Sequence, residues 1–245
     1  MFRFIVALLW VIIFLIISIP FIIILFFIGL FAPAFKARVS QFFITTAFKL
    51  VTKISGAKVT VKGLENVPKD TAVLYIPNHR SIFDIILTYP LCSRQTAYIA
   101  KKETKKIPVF NIWMTFMNCQ FLDRKDLRAG LKVVLNCVEF IKKGISVCVF
   151  PEGTRNKGED DLLPFHDGSL KIADKAGCPI IPIAINNTEN IFEAHFPKLA
   201  PVKVTLEYCA PIYPSDFTKE NKRKISSAVQ EEILEAYRRN KQDTV

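Results

Sequence analysis

Charge is missing where this chain begins. From Phe4 to Phe31 no side chain is charged, a run long enough to cross a hydrocarbon core of about 30 Å as a helix. Acid is missing for longer still: Glu65 is the first acidic residue, and six basic residues (Lys36, Arg38, Lys49, Lys53, Lys58, Lys62) precede it between Ala32 and Leu64. An anionic, cytoplasm-facing membrane surface attracts a basic segment placed directly after an apolar run. The rival meaning of a formal charge of +11 is nucleic acid, but no nucleic-acid-binding motif accompanies it, so no nucleic-acid partner is expected. No CxxC pair occurs among the six cysteines (Cys92, Cys119, Cys137, Cys148, Cys178, Cys209), which speaks against a zinc site or a disulfide framework and for reduced, buried thiols of a cytosolic domain. With only three histidines and no metal-like spacing, no metal is expected either. There is no G-x-S-x-G elbow for a serine nucleophile, no internal repeat and no low-complexity tract. Ala32-Pro33-Ala34 mimics an export cleavage site, but the apolar run before it is about twice as long as a usual signal core.

What is present divides the chain at about residue 55. Residues 1–55 read as a membrane-associated helical segment, either one spanning helix or two shorter pieces broken near Pro20, where the ring removes a helix hydrogen bond. The re-entrant pair is the preferred reading and keeps Met1 on the cytoplasmic side. Ala34 to Ile54 interleaves Phe35, Phe42, Phe43 and Phe48 with Lys and Arg, which suits an amphipathic helix at the membrane interface or a helix packed on the soluble domain.

Residues 56–245 alternate short apolar runs with helical patterns, as an α/β sheet does. Strands are expected at Val59–Val61, Thr71–Ile76, Ala97–Ala100, Phe121–Leu122, Ser146–Phe150, Ile180–Ile185 and Val202–Tyr208. Pro182 removes a ladder donor, so its strand is expected at an edge or irregular there. Asp126 caps a helix with Leu127, Leu131, Val134, Val138 and Ile141 on one face, stopped by Gly144. A short helix spans Ser169–Ala176 up to Gly177, a polar loop spans Asn156–Asp161, and Lys219–Arg239 carries Ile225, Val229, Ile233 and Tyr237 on one face.

The chemistry gathers around Asn78-His79-Arg80-Ser81-Ile82-Phe83-Asp84, at a strand-to-helix junction that Ser81 can cap. A histidine in the turn can meet an aspartate in the first helical turn, whose side chain leans back toward the N-terminus. Asp84 then holds the ring by one nitrogen and leaves the other as a general base. Three histidines and ten aspartates place such a pair by chance in about one chain in eight, so the pair needs company. Company comes from polar motifs at the ends of other strands, where open α/β sheets put their ligand crevice: Lys101, Arg124 and Glu152 to Arg155. An imidazole base beside several cations suits deprotonation of an alcohol on an anionic substrate, with the thioester of an acyl carrier as electrophile. Bland readings stand beside each: Lys101 and Lys102 as a solvated basic face, Arg124 paired with Asp123, Glu152 and Arg155 stapling their own turn, His166 as a loop histidine.

These residues also resemble the glycerolipid acyltransferases, and among them the bacterial 1-acylglycerol-3-phosphate acyltransferases. Asn78 to Asp84 matches that family's first motif at every fixed position, Phe121-Leu122-Asp123-Arg124 looks like the second, Phe150-Pro151-Glu152-Gly153-Thr154-Arg155 is the third letter for letter, and Ile180-Ile181-Pro182-Ile183 looks like the fourth. Asn118 stands where the family usually has glycine, and Asn is among the few other residues that tolerate a left-handed backbone. The resemblance implies a mixed sheet flanked by helices and a fatty acyl transfer from an acyl-CoA or acyl-carrier-protein thioester, a co-substrate and not a cofactor, to the sn-2 hydroxyl of lysophosphatidic acid, giving phosphatidic acid for phospholipid synthesis. It implies that His79 is the base, Asp84 orients it, and attack is direct without an acyl-enzyme. Arg124 and the Glu152-Gly153-Thr154-Arg155 turn hold the phosphate, and Lys101 lies near the carbonyl oxygen or carrier phosphate. The enzyme would sit on the cell membrane with its catalytic domain in the cytoplasm. A different lyso-lipid acceptor, a membrane-bound lipid hydrolase using Ser81, and a non-enzymatic lipid-binding protein are the alternatives.

Overall fold

The computed structural model of the chain describes residues 1–158, 161–218, 221 and 224–242. Helix α1 (Phe2–Phe31) runs unbroken through Pro20, and α2 (Pro33–Ser55) returns antiparallel beside it, so the break expected near Pro20 lies instead at Ala32-Pro33. The difference is where each proline falls. In the middle of a 30-residue apolar helix, Pro20 removes one hydrogen bond among many. Pro33 pushes the residue before it out of the helical region, to φ −133° and ψ 68° at Ala32, and itself takes a first-turn position that needs no N–H. Ala7, Ser18, Ile22 and Leu25 of α1 are buried, while most of its isoleucines and phenylalanines lie bare. Helix α2 satisfies both readings of its sequence: Ala37, Ser40, Ile44, Ala47 and Val51 are packed inward, and Phe35 and Phe42 are exposed.

The sheet has seven strands: β1 (Lys58–Lys62), β2 (Leu74–Pro77), β3 (Thr96–Lys101), β4 (Gln120–Leu122), β5 (Ser146–Cys148), β6 (Ile180–Asn186) and β7 (Lys203–Tyr208). Their order is β1-β7-β6-β2-β5-β3-β4. Strands β6, β2, β5, β3 and β4 are mutually parallel, while β7 is antiparallel to β6 and carries β1 parallel to itself, so the sheet is mixed. Side chains alternate across it. Val73, Tyr75, Ile181 and Ile183 face a core that also takes in Ile22, Leu25, Ile44 and Val51 of the N-terminal helices, together with α3 (Phe83–Thr88) and α4 (Phe110–Phe116). Leu74, Ile76, Val147 and Ile180 face α5 (Leu127–Lys142), α6 (Lys171–Ala176) and α7 (Ile225–Lys241). All six cysteines are free, and burial pushes the thiols of Cys92 and Cys119 up to about 11, which keeps them unreactive.

Two local expectations change. Strand β6 is an interior strand, buried at all seven positions between β2 and β7, and not an edge. The strand is irregular at Pro182, the other half of the expectation: the ladder with β7 stops at Ile183 and returns only as an isolated bridge between Ile180 and Ile212, while the Pro182 carbonyl accepts from Cys209 N–H at 3.0 Å. On α5, Asp126 does cap, accepting from the N–H groups of Arg128 and Ala129, and Gly144 does stop the helix. Its buried face, however, is Val133, Cys137, Val138 and Ile141, while Leu127 and Leu131 are exposed. The stripe turns toward Cys137, a small hydrophobe in practice, and the three-residue edge strand β4 offers little to cover the helix's first turns. Helix α7 buries Ile225, Val229, Ile233 and Tyr237 as expected. The expected start of that helix at Lys219 and the loop positions Glu159 and Asp160 lie outside the described residues.

Candidate active site

Four parallel strands end along one edge of the sheet, and each leads directly to a residue singled out by sequence. His79 follows β2, the Glu152 to Arg155 turn follows β5, Lys101 ends β3, and Arg124 follows β4. Neighbouring strands lie about 4.8 Å apart, so the third-motif strand adjoins that of His79, whereas Arg124 follows a strand roughly 14 Å away.

The turn carrying His79 is tied at every residue. Asn78 is pinned to β6, donating from Nδ2 to Ile185 O at 3.0 Å and accepting at Oδ1 from Ile185 N–H at 2.7 Å. His79 N–H donates to Glu152 Oε1 at 2.7 Å, and its carbonyl accepts from Asn156 N–H at 2.7 Å. The ring stacks on Phe150, centroids 4.0 Å apart, with Nδ1 2.8 Å from Asp84 Oδ2. Asp84 is fully buried; the same Oδ2 accepts from the N–H groups of Arg80 at 2.7 Å and Ser81 at 2.8 Å, and Oδ1 accepts from the Thr188 hydroxyl. A carboxylate offers only acceptors, so Nδ1 carries the hydrogen and Nε2 presents a lone pair. The His79 side chain is 16% exposed, so the ring is mostly covered but reachable from solvent.

Glu152 is turned inward. Its second oxygen accepts from Leu163 N–H at 2.9 Å, and burial pushes its carboxyl above the usual range while the two N–H donors pull the other way. Its carboxylate therefore staples the backbone of His79, not its own turn. Gly153 has φ 68°, a left-handed conformation that favours glycine, and a Cβ there would crowd the exposed His166 ring at 3.0 Å. Thr154 and Arg155 are exposed at the rim, and Arg155 pairs with Glu193 at 2.9 Å. Lys101 is exposed with Glu103 3.8 Å away. Lys102 holds Asp123 and lowers its carboxyl, leaving Arg124 exposed beside it. Among the described residues no bond joins Lys101 or Arg124 to the His79 cluster.

Three residues of the site escape sequence reading: Thr188, Glu189 and Glu193, all from the connection between β6 and β7. Thr188 holds Asp84, Glu189 lies 3.1 Å from Arg80 Nε, and Glu193 reaches Ser81, Ile82 and Arg155. The available signal was Asn186-Asn187-Thr188, a polar run at the carboxyl end of a buried strand parallel to β2. Ser81, the nucleophile of the hydrolase alternative, is fully buried and spent, donating to Glu193 at 2.6 Å and accepting from Phe83 N–H at 3.0 Å. Asn118 does adopt the left-handed backbone, with φ 62°. Asn118→Gly is therefore expected to leave stability unchanged or raise it, and Asn118→Val to lower it by about 1–2 kcal/mol, as urea titration of the two proteins will report.

An imidazole oriented by a buried carboxylate, at the edge where open α/β sheets bind ligands, is an arrangement able to accept a proton. The sequence model of the Acyltransferase family matches residues 58–186, more than half of the chain, and the chain belongs to that family. Within it, the chain is similar to the 1-acyl-sn-glycerol-3-phosphate acyltransferase of Borreliella burgdorferi, at 32% identity over 155 residues that cover 63% of this chain and 62% of that protein. It is similar as well to the probable 1-acyl-sn-glycerol-3-phosphate acyltransferase of Mycoplasma pneumoniae, at 31% identity over 202 residues, 78% of this chain and 75% of that one. Among solved structures it matches the crystal structure of the 1-acyl-sn-glycerophosphate (LPA) acyltransferase, PlsC, from Thermotoga maritima, with a TM-score of 0.73, 30% identity and 98% of each chain covered. The chain spans less than two-thirds of the length of the first curated relatives, 62% of the Borreliella burgdorferi protein and 55% of one from Cocos nucifera.

Proposed function

We propose that this chain transfers a fatty acyl group from an acyl thioester to the sn-2 hydroxyl of 1-acylglycerol-3-phosphate, giving phosphatidic acid for phospholipid synthesis. The observation that carries the reading is the His79–Asp84 pair, 2.8 Å apart, with Nε2 open. Nε2 takes the hydroxyl proton as the oxygen attacks the thioester carbonyl. The tetrahedral adduct collapses, the C–S bond breaks, and the leaving sulfur takes the proton from the imidazolium that Asp84 stabilises. Arg155, Arg124 and the Thr154 N–H of the turn hold the acceptor phosphate, Gly153 closing that turn with its own N–H on the Phe150 carbonyl, and Lys101 faces the carbonyl oxygen or the carrier phosphate of the donor. The donor is an acyl-CoA or acyl-carrier-protein thioester, and no cofactor enters the reaction. The buried, engaged Ser81 favours direct attack over a covalent serine intermediate.

The acceptor's single chain holds its head group at a membrane surface, and the exposed flank of α1 supplies the lipid contact. Three observations support a helix pair lying in one leaflet with Met1 on the side of the catalytic domain. Arg3 bonds the carbonyl of Ser55, Phe4 stacks on Phe192 of the sheet domain at 5.6 Å, and Lys36 at the far end lies over the Phe116 ring of α4. Water-soluble donors put that side in the cytoplasm. A cysteine at position 2 of an otherwise cysteine-free protein is expected to resist an impermeant thiol reagent on intact cells; labelling from outside overturns this placement.

Acceptor choice tests the function itself. With at least one of the two donors, thiol release is expected to depend on added lysophosphatidic acid and to remain at background with lysophosphatidylcholine, whose phosphate carries a choline. Equal rates with the two lipids would favour the reading with another lyso-lipid as acceptor.

A further inference from the structure

We infer that Glu193 is a positioning residue for acceptor binding, and that it acts through Arg155. The inference rests on the acyltransferase reading above and adds a residue from beyond position 186, where the family match ends. One carboxylate makes three bonds. Oε1 accepts from Ile82 N–H at 2.9 Å and from Arg155 Nη1 at 2.9 Å, and Oε2 accepts from the Ser81 hydroxyl at 2.6 Å. Two of these partners belong to the turn between His79 and Asp84, and the third is the outermost cation of the third motif. Glu193 is thus the side chain that ties the arginine to the base.

The geometry has a chemical use. An arginine at a rim is a long, mobile side chain, and ordering it costs rotamer freedom. Arg155 is 43% exposed, so without a partner its guanidinium would wander. Glu193 engages one Nη and leaves the other edge of the planar fork for the phosphate, which the arginine can then meet in two parallel bonds. The carboxylate can hold that position because its own segment is clamped. Phe192 and Phe196, on either side of it, meet edge to face at 5.4 Å; Phe192 stacks on Phe4 of α1 at 5.6 Å and Phe196 meets the same ring edge-on at 6.4 Å. The apolar helix that meets lipid therefore seats the loop that orients the phosphate ligand.

Initial rates in mixed micelles of the full chain test this, with lysophosphatidic acid and acyl-CoA varied separately. Glu193→Gln keeps the volume and removes the charge that holds the guanidinium. It is expected to raise the acceptor concentration for half-saturation about three- to tenfold, from the loss of an ordered charge-assisted contact, with the donor dependence and thermal midpoint unchanged. Glu193→Asp, which keeps the charge on a shorter arm, recovers part of the loss. In an Arg155→Ala background, itself weak for acceptor, Glu193→Gln adds nothing further. A rise of the same factor in that background, an equal rise for the donor, or no rise in either single variant overturns the inference. If the unaltered protein gives no transfer to lysophosphatidic acid at all, the functional reading fails first and this inference falls with it.

Discussion

His79→Ala is expected to fold, to bind membranes as the parent does, and to lose more than about a hundredfold in turnover, the scale of a missing general base. The fold survives because the ring is a minor part of what holds the turn. Its N–H and carbonyl stay bonded to Glu152 and Asn156, and Asp84 keeps the N–H groups of Arg80 and Ser81 and the Thr188 hydroxyl. Turnover is lost because Nε2 is the group proposed to take the hydroxyl proton, and no second imidazole stands in for it. The His166 ring lies against Gly153, and the residue is held there by its backbone N–H, which donates to the Pro151 carbonyl at 2.9 Å. Steady-state rates on folded protein, checked by circular dichroism, decide it, and retained turnover refutes the assignment.

Asp84→Asn is the second large effect, and its interest lies in what it leaves alone. Oδ2 must remain an oxygen, since three N–H groups converge on it, so the new amide nitrogen takes the place of Oδ1 opposite Thr188, a hydroxyl that can turn to accept. The ring keeps its orientation and its Nδ1 hydrogen, but the imidazolium loses its counter-charge. Turnover should fall between about a hundredfold and ten-thousandfold with little change in thermal midpoint. Asp84→Ala, by contrast, strands buried N–H groups and should cost about 1–3 kcal/mol of stability for each one left unpaired. A full-activity Asp84→Asn protein would show that the aspartate serves the fold alone.

How much of this could be read from the chain depends on how far apart its parts lie. His79 with Asp84 was legible because the pair lies within a few residues of one strand end, whereas the bond of Glu152 to the His79 backbone was not, because it joins the ends of two neighbouring strands. The left-handed turn at Asn118 was legible too, being a local backbone demand. Thr188 and Glu193 were not, because they arrive from a connection without periodicity and meet Asp84 and Arg155 only once β6 lies beside β2. Pro20 misled because the cost of a missing N–H depends on what faces it, and that is a property of the neighbours. Leu127 and Leu131 misled because a helical repeat counts leucines, whereas the packed face of α5 runs through Cys137.

The central claim is that His79 and Asp84 serve a direct transfer to a lipid hydroxyl, and product balance tests it most directly. Purified protein given lysophosphatidic acid with acyl-CoA, and separately with acyl-carrier-protein thioester, should form one phosphatidic acid for each thiol released with at least one donor. No free fatty acid should appear, and both products should vanish together in His79→Ala. Thiol released with free fatty acid in place of phosphatidic acid would mean that water is the acceptor and that the site is a hydrolase.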